Sequence, residues 1–222
     1  MTTRHVKSAN TLISEQANFQ AIAKVIAMPK GYVDEWHKHP WHQVIFPFQG
    51  ILQTKVVNTQ FIVPNSGMLF IPANTEHESF VMTDTQFIGI YLNPEINNLF
   101  PLQTKAVSVS PFLRELLLQI KDSVTEKNTP ISVVSALLTV LSDQIRAGEC
   151  YDMALLLPSD RRLMSIFNAL MDDPTLTTKL SDWAKQVGAS ERTLSRLFTK
   201  ELGMSFPLWR QHLRLVSSLN LL

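Results

Sequence analysis

The stretch "LSDWAKQVGASERTLSRLFTKELG", Leu180 to Gly203, carries the most specific pattern in the chain. Leu180, Trp183, Ala184 and Val187 recur at helical spacing and make one apolar face. Gly188 suits the left-handed conformation that ends a helix, and Ser190 can cap the next helix after only a short turn. That is the sequence form of a helix-turn-helix. In the second helix Leu194, Leu197 and Phe198 point one way, whereas Arg192, Ser195, Arg196 and Thr199 fall at i, i+3, i+4 and i+7 on the other. Two arginines and two hydroxyls on one stripe supply the donors that read base edges in a major groove. The competing reading is a solvated face of a small bundle. Lys200, Lys185 and Arg210 are expected at phosphates, with ordinary surface charge as the alternative.

Outward from this motif, helices are expected over about Asp160–Met171, Thr178–Val187 and Ser190–Leu202, with a fourth from near Ser205. Tyr151–Pro158 reads as a linker. Before it, Ser110-Pro111 caps a stripe of Phe112, Leu113, Leu116, Leu117 and Ile120, and Thr129-Pro130 repeats the device ahead of Ile131, Val134, Leu137, Leu138, Leu141 and Ile145, up to Gly148. These leucine-rich helices either cover a sheet or form an isologous dimer interface. From about residue 19 to 92 the chain breaks into short strands such as Ile51–Val57, Gln60–Val63, Gly67–Ile71 and Gln86–Leu92. They are separated by Gly31, Gly50, Asn58, Pro64–Gly67, Pro72 and Asp84, and point to a compact antiparallel barrel or sandwich. The expected class is therefore α+β.

The strand region also holds "HKHPWHQ", His37 to Gln43, with three of the chain's six histidines. On one strand His37, His39, Trp41 and Gln43 would share a face, and Lys38 and His42 the other, unless Pro40 shifts the register. Two imidazoles at i and i+2 suit a metal pair, and His77 in "PANTEH" can supply a third. Three readings stand: a metal held by His37, His39 and His77 with Gln43 as a weak ligand, a metal-free effector pocket using the same residues and Trp41, and plain structural histidines. Trp36, Trp41, Phe46, Phe48 and Phe61 are candidates for the cavity wall or for ordinary core, His42 is expected to be structural, and His5 and His212 to lie at the surface.

At 222 residues and 45% apolar composition the chain is long enough for two packed domains. Met1–Val6 leads into polar residues without a secretory pattern, and no apolar run reaches the roughly 18 residues of a membrane span. Cys150 stands alone, which excludes an internal disulfide and suits the cytoplasm. Net charge is +1, yet from Pro158 onward nine basic residues face six acidic ones, a +3 excess compatible with a polyanion partner.

Two family resemblances follow from these residues. Leu180–Ala184, Ser190–Phe198, and Gly203–Phe206 with Trp209, Arg210, Arg214 and Leu215 resemble the AraC/XylS family of transcription regulators. The resemblance implies two helix-turn-helix units joined by a long helix, with Arg192, Ser195 and Arg196 reading bases. The family's second unit would follow Leu222, so the chain as written is expected to bind DNA weakly. Gly31, His37, His39, Gln43 and Gly50, then Gly67, Pro72 and His77, resemble the two motifs of a cupin. That resemblance implies a metal site of three histidines and an acidic residue, with Gln43 at the acidic position and its charge missing.

Together these give residues 1–104 as a cupin-like effector domain, 105–157 as a helical dimerisation and linker segment, and 158–222 as an AraC-type unit with its first helix-turn-helix. The expected function is a DNA-binding regulator, not an enzyme, that responds to a small molecule or a divalent metal. Its expected partners are double-stranded DNA and a second copy of itself, with no membrane. A cupin-type metal enzyme with an appended helical domain is the alternative, and a dimerisation fragment without DNA binding a third.

Overall fold

The computed structural model describes residues 9–56, 59–96, 98–126, 128–148, 158 and 160–219, with the side chains of Gln60 and 216–219 excepted. The leading Met1–Val6, His5, Val57, Asn58, Cys150 and residues 151–157 of the expected linker lie outside these residues. The chain divides into two compact units, Met1–Asp152 and Met153–Leu222.

The first unit begins with α1 (Ala9–Glu15), then β1 (Ala21–Met28), β2 (Val33–His37), β3 (His42–Gln49), β4 (Leu52–Val56), β5 (Thr59–Val63), β6 (Gly67–Ile71), β7 (His77–Val81), β8 (Thr85–Leu92) and β9 (Lys105–Ser108). Two helices follow, α2 (Pro111–Thr125) and α3 (Ile131–Ala147). All strand pairs are antiparallel, in a five-stranded sheet ordered β1-β8-β3-β6-β9 and a four-stranded one ordered β2-β7-β4-β5. This is the expected cupin-like barrel. β9 extends it past residue 104, where a helical segment was expected.

Alternation along each strand decides what each face buries. Ile45, Leu69, Ile71 and Phe87 turn inward to meet Leu52, Val56, Val63 and Val81 of the other sheet. Val44, Phe46, Met68, Phe70, Ile88 and Ile90 turn outward, onto Leu113, Leu116, Leu117 and Ile120 of α2 and Leu138, Leu141 and Ile145 of α3. With both faces covered, β6 is buried at all five positions and reads as a continuous apolar run. The leucine-rich helices therefore cover the sheet. Phe112 and Ile131, read from the sequence as part of the apolar stripes, remain 57% and 73% exposed, whereas Leu113 beside Phe112 is buried.

Local devices mostly follow the sequence. Ser110 Oγ accepts from the Leu113 amide, with Pro111 at the first position of α2. Thr129 does not repeat this at α3, where Pro130 itself occupies the cap without a side-chain bond. Gly50, at φ +81°, links β3 to β4 where a Cβ would press to 2.8 Å from Thr85 Cα. Gly148 has an ordinary negative φ and caps α3 where an added Cβ would run into Val107 of β9.

The second unit holds α4 (Arg161–Asp172), α5 (Leu180–Gln186), α6 (Glu191–Leu202) and α7 (Phe206–Leu219). Leu163, Ile166, Phe167 and Leu170 of α4, Trp183 and Ala184 of α5, Leu194, Phe198 and Leu202 of α6, and Phe206, Trp209 and Leu213 of α7 are buried. Trp209 is central, 5.9 Å from the Phe167 ring and 5.4 Å from that of Phe198. Asp160 caps α4 through the Arg162 amide and takes a two-pronged bond from the Arg162 guanidinium, which holds its carboxyl down at about 2. No helix among the described residues is long and apolar enough to cross a membrane.

Candidate functional site

His37, His39 and His77 converge in the barrel, but not as one strand face. His37 ends β2 in the four-stranded sheet, Gln43 belongs to β3 in the five-stranded sheet, and His39 lies on the connection between them. Pro40 lies within this crossing, which replaces the continuous strand expected over 37–43. His37 pairs across the ladder with His77 of β7, and residues directly opposite in an antiparallel pair share a face. The ring centroids stand 4.3 Å apart for His37 and His77, 5.2 Å for His39 and His77 and 6.0 Å for His37 and His39. One ring nitrogen from each lies within 4.8 Å of the others.

Hydrogen bonding sets the tautomer of all three rings. Nδ1 of His37 lies 2.7 Å from Glu35 O, Nδ1 of His39 2.7 Å from Trp41 O and Nδ1 of His77 2.9 Å from Thr75 O. A carbonyl oxygen only accepts, so each Nδ1 carries the proton and each neutral ring keeps a lone pair on Nε2. Burial pushes His77 down to about 3 and lowers His39 as well. His77 Nε2 is buried with no hydrogen-bond partner among the described residues. His39 Nε2 stands 3.1 Å from Gln43 Oε1, so two lone pairs face each other there. Two arrangements resolve that conflict. Either a cation lies between them, or the Gln43 amide turns over to donate to His39 and accept from the Tyr91 hydroxyl, now 3.5 Å from Gln43 Nε2. Backbone-anchored Nδ1–H groups behind unprotonated Nε2 atoms are the arrangement that orients metal-ligating histidines, so the donor set fits a divalent ion.

The sequence reading missed two groups here. Asp34 Oδ2 is 3.9 Å from His37 Nε2, and its carboxyl is raised by burial against the opposing pull of His37 and His39. Tyr91, buried and raised by that burial, lays its ring edge-on to His39 at 5.4 Å. Trp41 does not join the histidines: it packs with Ile13, Ile22 and Tyr91 under α1. The other candidate aromatics do not line the site either. Trp36 is exposed beneath Lys55, Phe46 and Phe48 face the helices, and Phe61 packs in the barrel core. His42 has the opposite tautomer, its Nδ1 accepting from the Ala73 amide beside Phe70 and Phe100, and is structural as expected.

The second site is the α5–α6 surface. α5 ends in a Schellman motif: Gly188 at φ +67°, the Ala189 amide to Ala184 O at 2.9 Å and the Gly188 amide to Lys185 O at 3.4 Å. Ser190 then caps α6 by accepting from the Thr193 amide at 3.1 Å. Leu194 and Phe198 are buried and Leu197 is half-buried, while Arg192, Ser195, Arg196, Thr199 and Lys200 are exposed. Among the described residues no hydrogen bond or ion pair engages Arg192 or Arg196. Lys185 pairs with Asp182 at 3.4 Å, and His212 is half-buried. Arg210 is engaged elsewhere: Nη1 donates to Thr178 O at 3.1 Å and the guanidinium stacks on Phe206. Arg214 likewise holds Pro174 O and Leu176 O at 2.8 and 2.9 Å. The two arginines of α7 thus brace the loop between α4 and α5.

No protein-family model matches the chain. Over 184 residues it is 28% identical to the HTH-type transcriptional regulator NimR of Escherichia coli, covering 82% of this chain and 66% of NimR. Over 66 residues it is 36% identical to the HTH-type transcriptional regulator RipA of Corynebacterium glutamicum, 30% of this chain and 20% of RipA. The chain therefore spans just under two thirds of NimR and a fifth of RipA. A crystal structure of ToxT from Vibrio cholerae aligns over 92% of this chain and 83% of its own with a TM-score of 0.46 at 12% identity. By sequence, the chain is homologous to HTH-type transcriptional regulators.

Proposed function

We propose that the protein is a DNA-binding transcription regulator of the AraC/XylS type, non-enzymatic, whose cupin-like barrel senses a divalent metal ion. The carrying observation is the face of α6: Arg192, Ser195 and Arg196 project from a helix whose other side is locked by Leu194 and Phe198. Such a stripe, held by a capped turn, is the form in which a recognition helix presents donors to base edges. Thr199 and Lys200 extend it toward phosphates. Arg210, bound to Thr178 O, serves by holding the loop before α5.

In the barrel, His37, His39 and His77 would hold the ion with Gln43 Oε1 as a weak fourth donor, and the bound ion would supply charge and rigidity rather than chemistry. The convergence of three ring nitrogens within 4.8 Å and the unpartnered Nε2 of His77 favour this over a metal-free pocket. Ion binding that favours one arrangement of the barrel would shift how α6 is presented. Val133 and Val140, seven residues apart on one side of α3, stay exposed and support a second copy of the chain docking there. The setting is the cytoplasm.

Rounds of selection from random duplex DNA test the central claim. Wild type should enrich one motif, Arg196→Ala should relax one position of it by about 1–3 kcal/mol, and Lys200→Ala should weaken all sequences alike. An unchanged motif with Arg196→Ala would refute it.

A further inference from the structure

Trp41, set apart from the histidines, lines a separate cavity of about 320 Å³ in the first unit. None of His37, His39, Gln43 and His77 borders it. One wall is α1; the other is Pro40 with the Asn93–Glu95 turn that follows β8. Ile13 and Trp41, only 5% and 4% exposed, supply apolar surface beside Pro40 and Pro94. Hydrogen bonds hold the walls in place. Asn10 Nδ2 donates to Lys38 O at 3.1 Å and ties α1 to the chain just before Pro40. Buried Asn93 donates to Ala17 O and Phe19 O at 3.0 and 3.2 Å and accepts from the Glu95 amide at 3.0 Å. A pre-formed, mostly apolar cavity of this size with a few convergent polar groups has the form of a small-molecule site. Two of those polar groups stand unused. Among the described residues no hydrogen bond engages the Trp41 indole N–H, and no ion pair engages the carboxylate of Glu95, which is exposed at the rim. An indole N–H only donates and a carboxylate only accepts, so the two make opposite demands on an occupant. Asn10 adds a further acceptor, its Oδ1, because its Nδ2 is committed to Lys38 O.

We propose that this cavity is a second ligand site and that it takes a small organic cation: a protonated amine on an apolar body that carries an oxygen at its far end. The ammonium meets Glu95 and Asn10 Oδ1, the body packs on Ile13 and the two prolines, and the oxygen accepts from the buried Trp41 N–H, which removes the cost of leaving that donor unpaired. An anion would face the like charge of Glu95, and no cationic side chain lines the cavity to offset it. The site stands independently of the metal reading of the barrel.

Tyramine, titrated into the whole chain with chelator present, tests this, with p-cresol and 4-hydroxyphenylacetate as its neutral and anionic counterparts. Nitrogen-resolved NMR of the Trp41 indole N–H reads the binding. Tyramine should bind in the millimolar range expected of about ten non-hydrogen atoms, shift the Trp41 signal, and bind more tightly than either counterpart. Glu95→Gln should weaken tyramine about two- to fivefold, the worth of an exposed ion pair, and leave p-cresol unchanged. Ser14→Phe, which sets a ring into the cavity from an exposed position of α1, should abolish binding of both. No binding of tyramine, equal or tighter binding of the anion, a Trp41 signal that stays in place, or undiminished tyramine binding by Glu95→Gln or by Ser14→Phe overturns the proposal. Should Ser14→Phe not fold, the Trp41 signal of the wild type still locates the ligand.

Discussion

His77 should make the metal-free barrel acid-labile, and replacing it with asparagine should remove most of that lability. The ring is 1% exposed and held at about 3 by burial, whereas an unfolded histidine titrates near 6.5. As pH falls below 6.5 the unfolded chain takes up a proton that the folded barrel refuses. The contribution is thus complete above pH 6.5 and is lost at about 1.4 kcal/mol per pH unit down to about pH 3. Between pH 7 and pH 4.5 the loss is about 2.5 kcal/mol. Asparagine places its amide N–H where Nδ1–H now serves Thr75 O, so His77→Asn keeps the hydrogen bond and deletes the titration. Urea unfolding with chelator present, read by hydrogen exchange in β3 and β8, should show wild type losing about 2.5 kcal/mol more than the variant over that interval. His39 is lowered in the same direction in both proteins and cancels in the difference. Equal losses in the two proteins would refute a neutral, buried His77.

Gly188→Ala should cost the C-terminal unit about 1–2 kcal/mol, because φ +67° is left-handed and the added methyl has open space but a strained backbone; a melt of the second unit reads it. Leu141→Ala should cost the barrel unit about 2–5 kcal/mol, since Leu141 is fully buried between α3 and the five-stranded sheet, and denaturant midpoints at constant slope measure it. Arg210→Met should destabilise the second unit by about 1–2 kcal/mol through the lost bond to Thr178 O, whereas Arg196→Ala should leave stability within about 0.5 kcal/mol. Equal thermal effects of the last two would overturn the division between a bracing and a reading arginine.

The helix-turn-helix was legible because every device that makes it acts within a few residues. Gly188 takes the left-handed turn, Ser190 caps, and the 3.6-residue period sorts Leu194 and Phe198 from Arg192 and Arg196. Strands β4, β5, β6 and β8 were legible for the same local reason, and so was the three-histidine set, through spacing and the cupin resemblance. By contrast, the short α1 carries too weak a period to be read, and β9 follows an interval without strand signals. Which helical positions stay exposed depended on where α2 and α3 meet the sheet, so Phe112 and Ile131 were misread. The roles of Arg210 and Arg214 required carbonyls more than 30 residues away. Above all, a strand pattern assigns sides by parity, and parity fails at a crossing and at a bulge. The passage from β2 to β3 gathered His37, His39 and Gln43 from two sheets, and the extra residue opposite Ser79–His77 turned Asp34 to the same side of the ladder as His37. Sequence determined the residue types and the local turns; pairing across the barrel decided which of them meet, because ladder register is set by distant strands.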